Sequence, residues 1–459
     1  MKETKGVYIP CAHFYQPQRR LYHSEFVDFN TDPKGVNWTE IINDKCYSQL
    51  ASKGLFGSEL SYDIFGILRM QLQEIDAKTA STIRRGSKDS KIGDPFIHPI
   101  LPHLNNDDKR IVIGSGLRAL EKEGVHPKVF WAPESALDEK TLEVLIDFGY
   151  KAVLLDPKQL KQEDGSPSDN KFTRLLLKSG SEIIAIPYDR NVSNKLAFGD
   201  LSNADAFTRT HILPSLSTTP SGILVTQVDG ETFGGHKKFA DQFLEYLLKI
   251  SLGNHDVNQL PINKLLSILE KNKLAKGKLI ENSAWSCSHN LSRWSTGCGC
   301  TENGSWKNAF YDVHSRLNQK ISDIVTESFN GQKGLVEELV VENFEDLLKN
   351  PGGNSSSPQT NLLSARVDAI CSRQSCSTFF ESSSTSGWIS IGLSLEAIQH
   401  LKDAGLTKEG SRLLDYYLSG LRKVADPKSE APIQVARRAL KDERPQSTIV
   451  SLKTGLSRF

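Results

Sequence analysis

A chain of 459 residues and 51.0 kDa can bury a large core and exceeds one compact unit. Its 56 basic and 55 acidic side chains leave a formal net charge of +1, a balance that draws it to neither nucleic acid nor anionic membrane. No uninterrupted apolar run approaches the ~18 residues of a membrane-spanning helix. The opening Met1-Lys2-Glu3-Thr4-Lys5 lacks the apolar core of a signal peptide. Seven cysteines, an odd number spread unevenly, point to a reduced cytoplasmic interior rather than a disulfide framework.

From Gly6 to about Asp312, short apolar runs alternate with amphipathic segments. Val7-Tyr8-Ile9 opens as a strand and Val129-Phe130-Trp131 is another. A helix is predicted from about Glu139 to Phe148, where Leu142, Leu145, Ile146 and Phe148 recur at helical spacing and Gly149 provides a stop. Ala152-Val153-Leu154-Leu155 follows as a strand, completing a βαβ unit and implying a parallel sheet. Ile183–Ile186 and Ile223–Val228 read as further buried strands. Lys237 to Ser251 reads as a helix with Phe239, Phe243, Leu244, Tyr246, Leu247 and Ile250 in its stripe, and Lys278-Leu279-Ile280 as a last strand. The predicted fold class is therefore α/β and barrel-like over residues 1–312. Residues 313–459 are predicted to form a mainly helical C-terminal region with Ser/Gly-rich loops at Asn350–Pro358 and Ser377–Ser386. Helices are expected there over Leu393–Leu406 and Thr407–Val424.

Three stretches set polar side chains just beyond strand-like runs: Cys11-Ala12-His13-Phe14-Tyr15-Gln16-Pro17, Trp131-Ala132-Pro133-Glu134-Ser135 and Val228-Asp229-Gly230-Glu231-Thr232-Phe233-Gly234-Gly235-His236. Parallel barrels build their active sites at such C-terminal strand ends. Two of the stretches carry a carboxylate, the minimum equipment for cutting a glycosidic bond. With Glu281-Asn282-Ser283-Ala284-Trp285-Ser286-Cys287-Ser288-His289 and Arg293-Trp294…Cys298-Gly299-Cys300, they resemble glycoside hydrolase family 57, over residues 7 to about 312.

The resemblance implies an incomplete (β/α)7 barrel followed by helices, and a retaining mechanism on α-glucans, as in amylases, branching enzymes and 4-α-glucanotransferases. It implies Glu134 as nucleophile and Asp229 as general acid/base. His13, Gln16, His98, Trp131, Glu231, His236, Trp285, His289, Arg293 and Trp294 would bind substrate, an α-glucan or maltooligosaccharide. One departure is clear: relatives carry His-x-His where this chain has Cys11-Ala12-His13, so one imidazole is missing.

A retaining glycosidase needs two carboxyl groups roughly 5–5.5 Å apart, one ionised and one protonated. If the strand ran on past Asp229, Glu231 would point to the same side, and its charge would raise the Asp229 pKa. Trp131, Trp285 and Trp294 offer flat faces for sugar rings, and Gly230, Gly234 and Gly235 would let the loop approach a substrate. Cys287, His289, Cys298 and Cys300 invite a zinc reading, but structural zinc sites usually use Cys-x2–4-Cys pairs and the close pair here is Cys-x-Cys. Buried thiols, with no metal and no cofactor, are expected. Two rival functions stand beside the first: a non-catalytic glucan-binding or regulatory homologue, and a metal-dependent polysaccharide deacetylase. Against the deacetylase, Pro99 and Pro102 keep His98 and His103 from forming a helical His pair.

Overall fold

The computed structural model describes residues 5–19, 29–57, 59–168, 170–350, 352 and 356–441. The sequence reading of Met1–Thr4, and part of that of the Asn350–Pro358 loop, lies outside these residues. The described residues form ten strands: β1 (Gly6–Phe14), β2 (Ser61–Ile64), β3 (Val129–Trp131), β4 (Ala152–Leu155), β5 (Leu160–Gln162), β6 (Thr173–Leu176), β7 (Glu182–Pro187), β8 (Ile223–Asp229), β9 (Val257–Gln259) and β10 (Ala275–Leu279).

One sheet is wholly parallel, in the order β2-β1-β8, with β9 alongside the start of β1. The other runs β3-β4-β7-β6-β10-β5; β3, β4 and β7 are parallel, whereas β6 opposes β7 and β5 opposes β10. Backbone bonds join the first sheet to the second on both sides, beyond β2 and beside β8. The Ile92 amide donates to Tyr62 O (2.8 Å) and the Gly93 amide to Val129 O (2.8 Å), and on the far side the Asp189 amide donates to Val225 O (2.8 Å).

Alternation along each strand explains why these segments pair as they do. Ile9 and Cys11 of β1, Val129 and Trp131 of β3, Ala152 and Leu154 of β4, Ile184 and Ile186 of β7 and Val225 of β8 share one buried cluster. Ile262, Leu265, Leu266 and Leu269 of the helix Ile262–Leu269 complete it. The opposite faces of the same strands join outer clusters. Tyr8, Ala12, Phe14, Leu224 and Val228 meet one set of helices, and Phe130, Val153, Leu155, Ile183 and Ala185 meet another.

The predicted βαβ unit is present, with a helix over Glu139–Asp147 between β3 and β4. The Asp138 side chain caps it by accepting from the Thr141 amide (2.8 Å), and Gly149 follows it at φ 83°. The helix expected from Lys237 starts later, at Ala240, because Phe239 adopts a left-handed φ of 64° and stands exposed.

Helices then dominate: Trp306–Ser328, Lys333–Leu348, Pro358–Cys371, Ser383–Asp403, Thr407–Leu421 and Pro432–Leu440. The first starts ahead of the change expected near Val313. The helix expected from Leu393 starts already at Ser383, inside the serine-rich stretch. Serine favours caps over helix interiors, and here Ser382 serves as the N-cap, while the Ser383 amide donates to Asp426 Oδ2 (2.7 Å). Small residues also help: a side chain at Gly387 would meet the Phe310 ring at 3.3 Å.

The helical region is not a separate body, since its Phe310, Leu317, Ala365 and Leu395 share a core cluster with Phe130 and Leu155. Arg366, nearly fully buried, pairs with the buried Asp108, and Asn318 donates to the same carboxylate (2.6 Å). No helix among the described residues is long and apolar enough to cross a membrane.

Candidate active site

Register brings the first residues together. His13 at the end of β1 is level with Asp63 on β2 and Asp229 on β8. Paired residues of adjacent parallel strands project to one face, so the three side chains meet on the same side. His13 Nδ1 lies 2.7 Å from Asp63 Oδ2, with both side chains buried. Burial alone would lower the His13 pKa, but Asp63, aided by Asp229 and Glu231, overcomes it and raises it to about 9. His13 is therefore an imidazolium near neutral pH.

His13 Nε2 lies 3.1 Å from His98 Nε2. Burial and the His13 charge push the His98 pKa well down, so His98 is neutral. Its Nε2 accepts from His13, which leaves Nδ1–H to donate to Ser375 Oγ at 2.6 Å. Tyr15 stacks on the His98 ring (4.2 Å between centroids, 20° between planes), and its hydroxyl donates to Gln374 Oε1 (2.9 Å). Both imidazoles are thus engaged with protein groups.

Glu134 follows β3 on a short 3-10 turn, Pro133–Ser135. Both Glu134 (φ 56°) and Ser135 (φ 50°) occupy the left-handed region, at roughly 1–2 kcal/mol per non-glycine residue. Successive bonds from the Ser135 amide to Ala132 O (2.8 Å) and the Ala136 amide to Pro133 O (2.9 Å) hold the turn. The Trp285 amide donates to Glu134 O (3.0 Å). Trp285 Nε1 (3.1 Å) and Ser286 Oγ (2.5 Å) donate to Glu134 Oε2. Burial raises the Glu134 pKa and the Asp229 charge adds to it, against the bonds from Ser286 and Trp285 and the charge of His13.

Asp229 is the last residue of β8 and is exposed to solvent. The surrounding protein displaces enough water to raise its pKa, although His13 and His236 oppose the shift. Glu231 goes elsewhere. The strand stops at Asp229, and the 3-10 turn Gly230–Thr232 carries Glu231 inward, where Tyr47 Oη donates to it (2.6 Å) along with the Tyr15 amide (3.2 Å). The coupling expected from the sequence is therefore reversed. Loss of water to the surrounding protein, not Glu231, raises Asp229, whereas Glu231 is lifted to about 7 by burial and then by the Asp229 charge. Gly230 approaches protein rather than open space, since a Cβ there would lie 2.1 Å from the Phe14 ring.

The remaining predicted residues separate. Trp131 is buried beneath His13 (4.8 Å between centroids), and its Nε1 donates to Ser135 Oγ (3.2 Å). Trp285 is half-buried, edge-on to Trp131 at 5.5 Å, and His236 is exposed. Gln16 is buried and accepts from Arg19 Nη2 (3.0 Å). Trp294 is a core residue, 1 % exposed, packed with Ile100, Ala136 and Leu291. Arg293 lies 3.8 Å above the Phe379 ring, and the exposed His289 sits among cysteines.

Sequence reasoning missed Asp63, the partner of His13, because Ser61-Tyr62-Asp63-Ile64 is too short and polar to stand out as a strand. It also missed Asp156, Tyr188 and Arg190 beyond β4 and β7, where Tyr188 Oη donates to Asp156 Oδ2 (2.7 Å) and Arg190 pairs with the same carboxylate. The strand-end rule that found Glu134 would have found these too. Gln374 and Ser375 carry no local signal; only the tertiary fold brings them to Tyr15 and His98.

Comparison with solved structures supports the same architecture. An exo-type maltose-forming amylase from Pyrococcus sp. ST04 superimposes with a TM-score of 0.72 at 14% identity, over 95% of this chain and 88% of that one. A family 57-type branching enzyme from Pyrococcus horikoshii matches at 0.63 and 14% identity, covering 95% of both chains. A 4-alpha-glucanotransferase from Thermococcus litoralis matches at 0.55 and 16% identity, over 80% of this chain and 60% of that one. These likenesses establish an α/β fold with a helical C-terminal region. No curated protein matches the sequence. The profile of glycosyl hydrolase family 57 matches residues 8–280, more than half of the chain, and the chain belongs to that family.

Proposed function

We propose that this protein is a retaining α-glucan hydrolase or glucanotransferase, with Glu134 as nucleophile and Asp229 as general acid/base. The carrying observation is the contrast between the two acids. Glu134 is pinned by Trp285 and Ser286, while the charge of the solvent-accessible Asp229 is felt at Glu134. Glu134 attacks the anomeric carbon, and the glycosidic bond breaks as Asp229 gives its proton to the leaving oxygen. Water or a sugar hydroxyl then gives a proton to Asp229 and displaces Glu134 from the sugar. The raised Asp229 pKa suits the acid step. The bonds from Ser286 and Trp285 and the His13 charge favour the ionised Glu134 that attack requires.

Trp285 and His236 are the sugar contacts this reading favours, with His13, His98, Trp131, Gln16 and Glu231 supporting from beneath. In this proposal residues 1–312 form an incomplete (β/α)7 barrel carrying the reaction in the cytoplasm, and residues 313–459 brace it. The bonds joining the first sheet to the second on both sides and the shared inner cluster support that arrangement. The test is incubation with maltooligosaccharides, amylose and glycogen, with product analysis for the native protein, Glu134→Ala and Asp229→Ala. Turnover lost in both variants, with a glycosyl group trapped on Glu134 in active enzyme, supports the reading. Binding without turnover in the native protein would replace it with a glucan-binding role, for which the buried Cys11 is the favouring feature.

A further inference from the structure

Just past the two residues that hold Glu134, the chain gathers four metal-binding side chains: Cys287, His289, Cys298 and Cys300. One ligand atom from each lies within 4.8 Å of all the others. Cys287 Sγ is 3.7 Å from Cys298 Sγ and 3.9 Å from His289 Nδ1, and Cys300 Sγ is 3.3 Å from His289 Nδ1. With zinc–sulfur bonds of about 2.3 Å and zinc–nitrogen bonds of about 2.0–2.1 Å, a tetrahedral site has sulfur–sulfur edges of about 3.8 Å and sulfur–nitrogen edges of about 3.5 Å. These three separations lie within about 0.4 Å of the corresponding edges. A disulfide needs about 2.05 Å between sulfurs, far less than the 3.7 Å between Cys287 and Cys298.

We infer that Cys287, His289, Cys298 and Cys300 form a closed, structural zinc site. The two pairs, Cys-x-His and Cys-x-Cys, are tighter than the usual knuckles, which is why their spacing argued against a metal. Three-dimensional packing removes that objection. Gly297 (φ 82°) turns the chain back, and Gly297 and Gly304 lie so close that a Cβ on either would come within 2.7 Å of the other's backbone. The His289 amide donates to Cys287 Sγ (3.4 Å), the kind of amide–sulfur bond that orients a metal-bound thiolate. Three thiolates and a neutral imidazole around Zn²⁺ carry a net charge of −1. The buried Lys307 lies within electrostatic reach of Cys287 and Cys298 and offsets it. Cys300 and His289 are exposed, which gives the ion a route in.

All four ligands come from protein, with no position left for water, so the role is to brace rather than to react. The braced loop begins one residue after Ser286, so the metal positions Trp285 and Ser286 against Glu134. The site itself stands on ligand geometry and holds whether or not the carbohydrate chemistry proposed above is right.

The test is metal analysis of full-length protein produced with zinc and dialysed against a weak chelator, with circular dichroism to verify folding. About one zinc per chain is expected, falling to roughly a tenth or less in Cys300→Ser and in the Cys298→Ser/Cys300→Ser double variant. Cobalt exchanged into the native protein should show thiolate-to-metal charge-transfer absorption, absent from the double variant. Native protein that holds no more zinc than the folded Cys300→Ser variant would overturn the site. So would a Cys287–Cys298 disulfide found by mass spectrometry in freshly purified protein. Zinc retained without glucan turnover would leave the site standing and remove only the catalytic reading.

Discussion

The loops after β3 and β8 start alike, each leaving a parallel strand through a 3-10 turn, yet they treat their acids in opposite ways. The first forces Glu134 into a left-handed conformation and fixes its carboxylate with two side-chain donors. The second leaves Asp229 extended (φ −61°, ψ 127°) and exposed, and buries its neighbour Glu231 instead. A group that must strike one atom benefits from rigidity, because small misplacements are costly. A group that gives and takes a proton benefits from access to solvent and a raised pKa. The contrast fits the two roles proposed for these acids.

The largest effect should come from the fixed acid. Glu134→Gln should lower turnover on maltooligosaccharides at least ~10³-fold with little change in urea midpoint, since loss of an activated nucleophile acts on the reaction and not on folding. Asp229→Asn should lower turnover by about 10²–10⁴-fold on natural glucans, and much less on an aryl glucoside whose leaving group needs no proton. Equal losses on both substrates would break the contrast.

The supporting ion pair gives a third measurement. Removing one partner of a buried pair leaves a charge unpaired, so Asp63→Asn should cost about 3–5 kcal/mol in urea unfolding. The sign with pH follows from linkage. His13 binds its proton more tightly folded than unfolded, so its stabilisation is fully present below about pH 6.5 and is lost as pH rises through about 9. Asp63→Asn should flatten that decline. Glu231 also holds its proton more tightly when folded, with a pKa of about 7. Its contribution to stability should therefore fall as pH rises from about 4.5 to 7, and Glu231→Gln should remove that contribution.

The smallest change is expected in Ser286→Ala. Losing one donor should move the acid limb of the activity profile upward by less than about one pH unit, with turnover at its optimum reduced only several-fold. An unmoved limb would mean that Ser286 does not help hold Glu134 ionised.

What could be read from residues alone follows from local physics. Val129–Trp131, Ala152–Leu155 and Ile223–Val228 are dense apolar runs, and buried parallel strands must be so. The acids at their ends were legible for that reason, as was the βαβ handshake around Glu139–Asp147. Asp63 was not, because β2 draws its strand character from β1 beside it rather than from its own composition. Glu231 was misread because strand geometry was extended two residues past its end. Trp294 reads equally as core or as sugar platform from sequence, and packing against Ile100 and Leu291 makes it core. The contribution of Gln374 and Ser375 depends on a return of the chain across 277 residues from His98 to Ser375, which no local pattern records.

The Arg366–Asp108 pairing has a wider consequence, because each member sits on a different side of the expected boundary near residue 312. Neither half can be expressed, shuffled or inherited as a free-standing module without exposing a lone charge and a torn apolar face. Variation in the tail is accordingly constrained by residues 1–312, and removing the segment that holds Ser375 would open the wall behind His98.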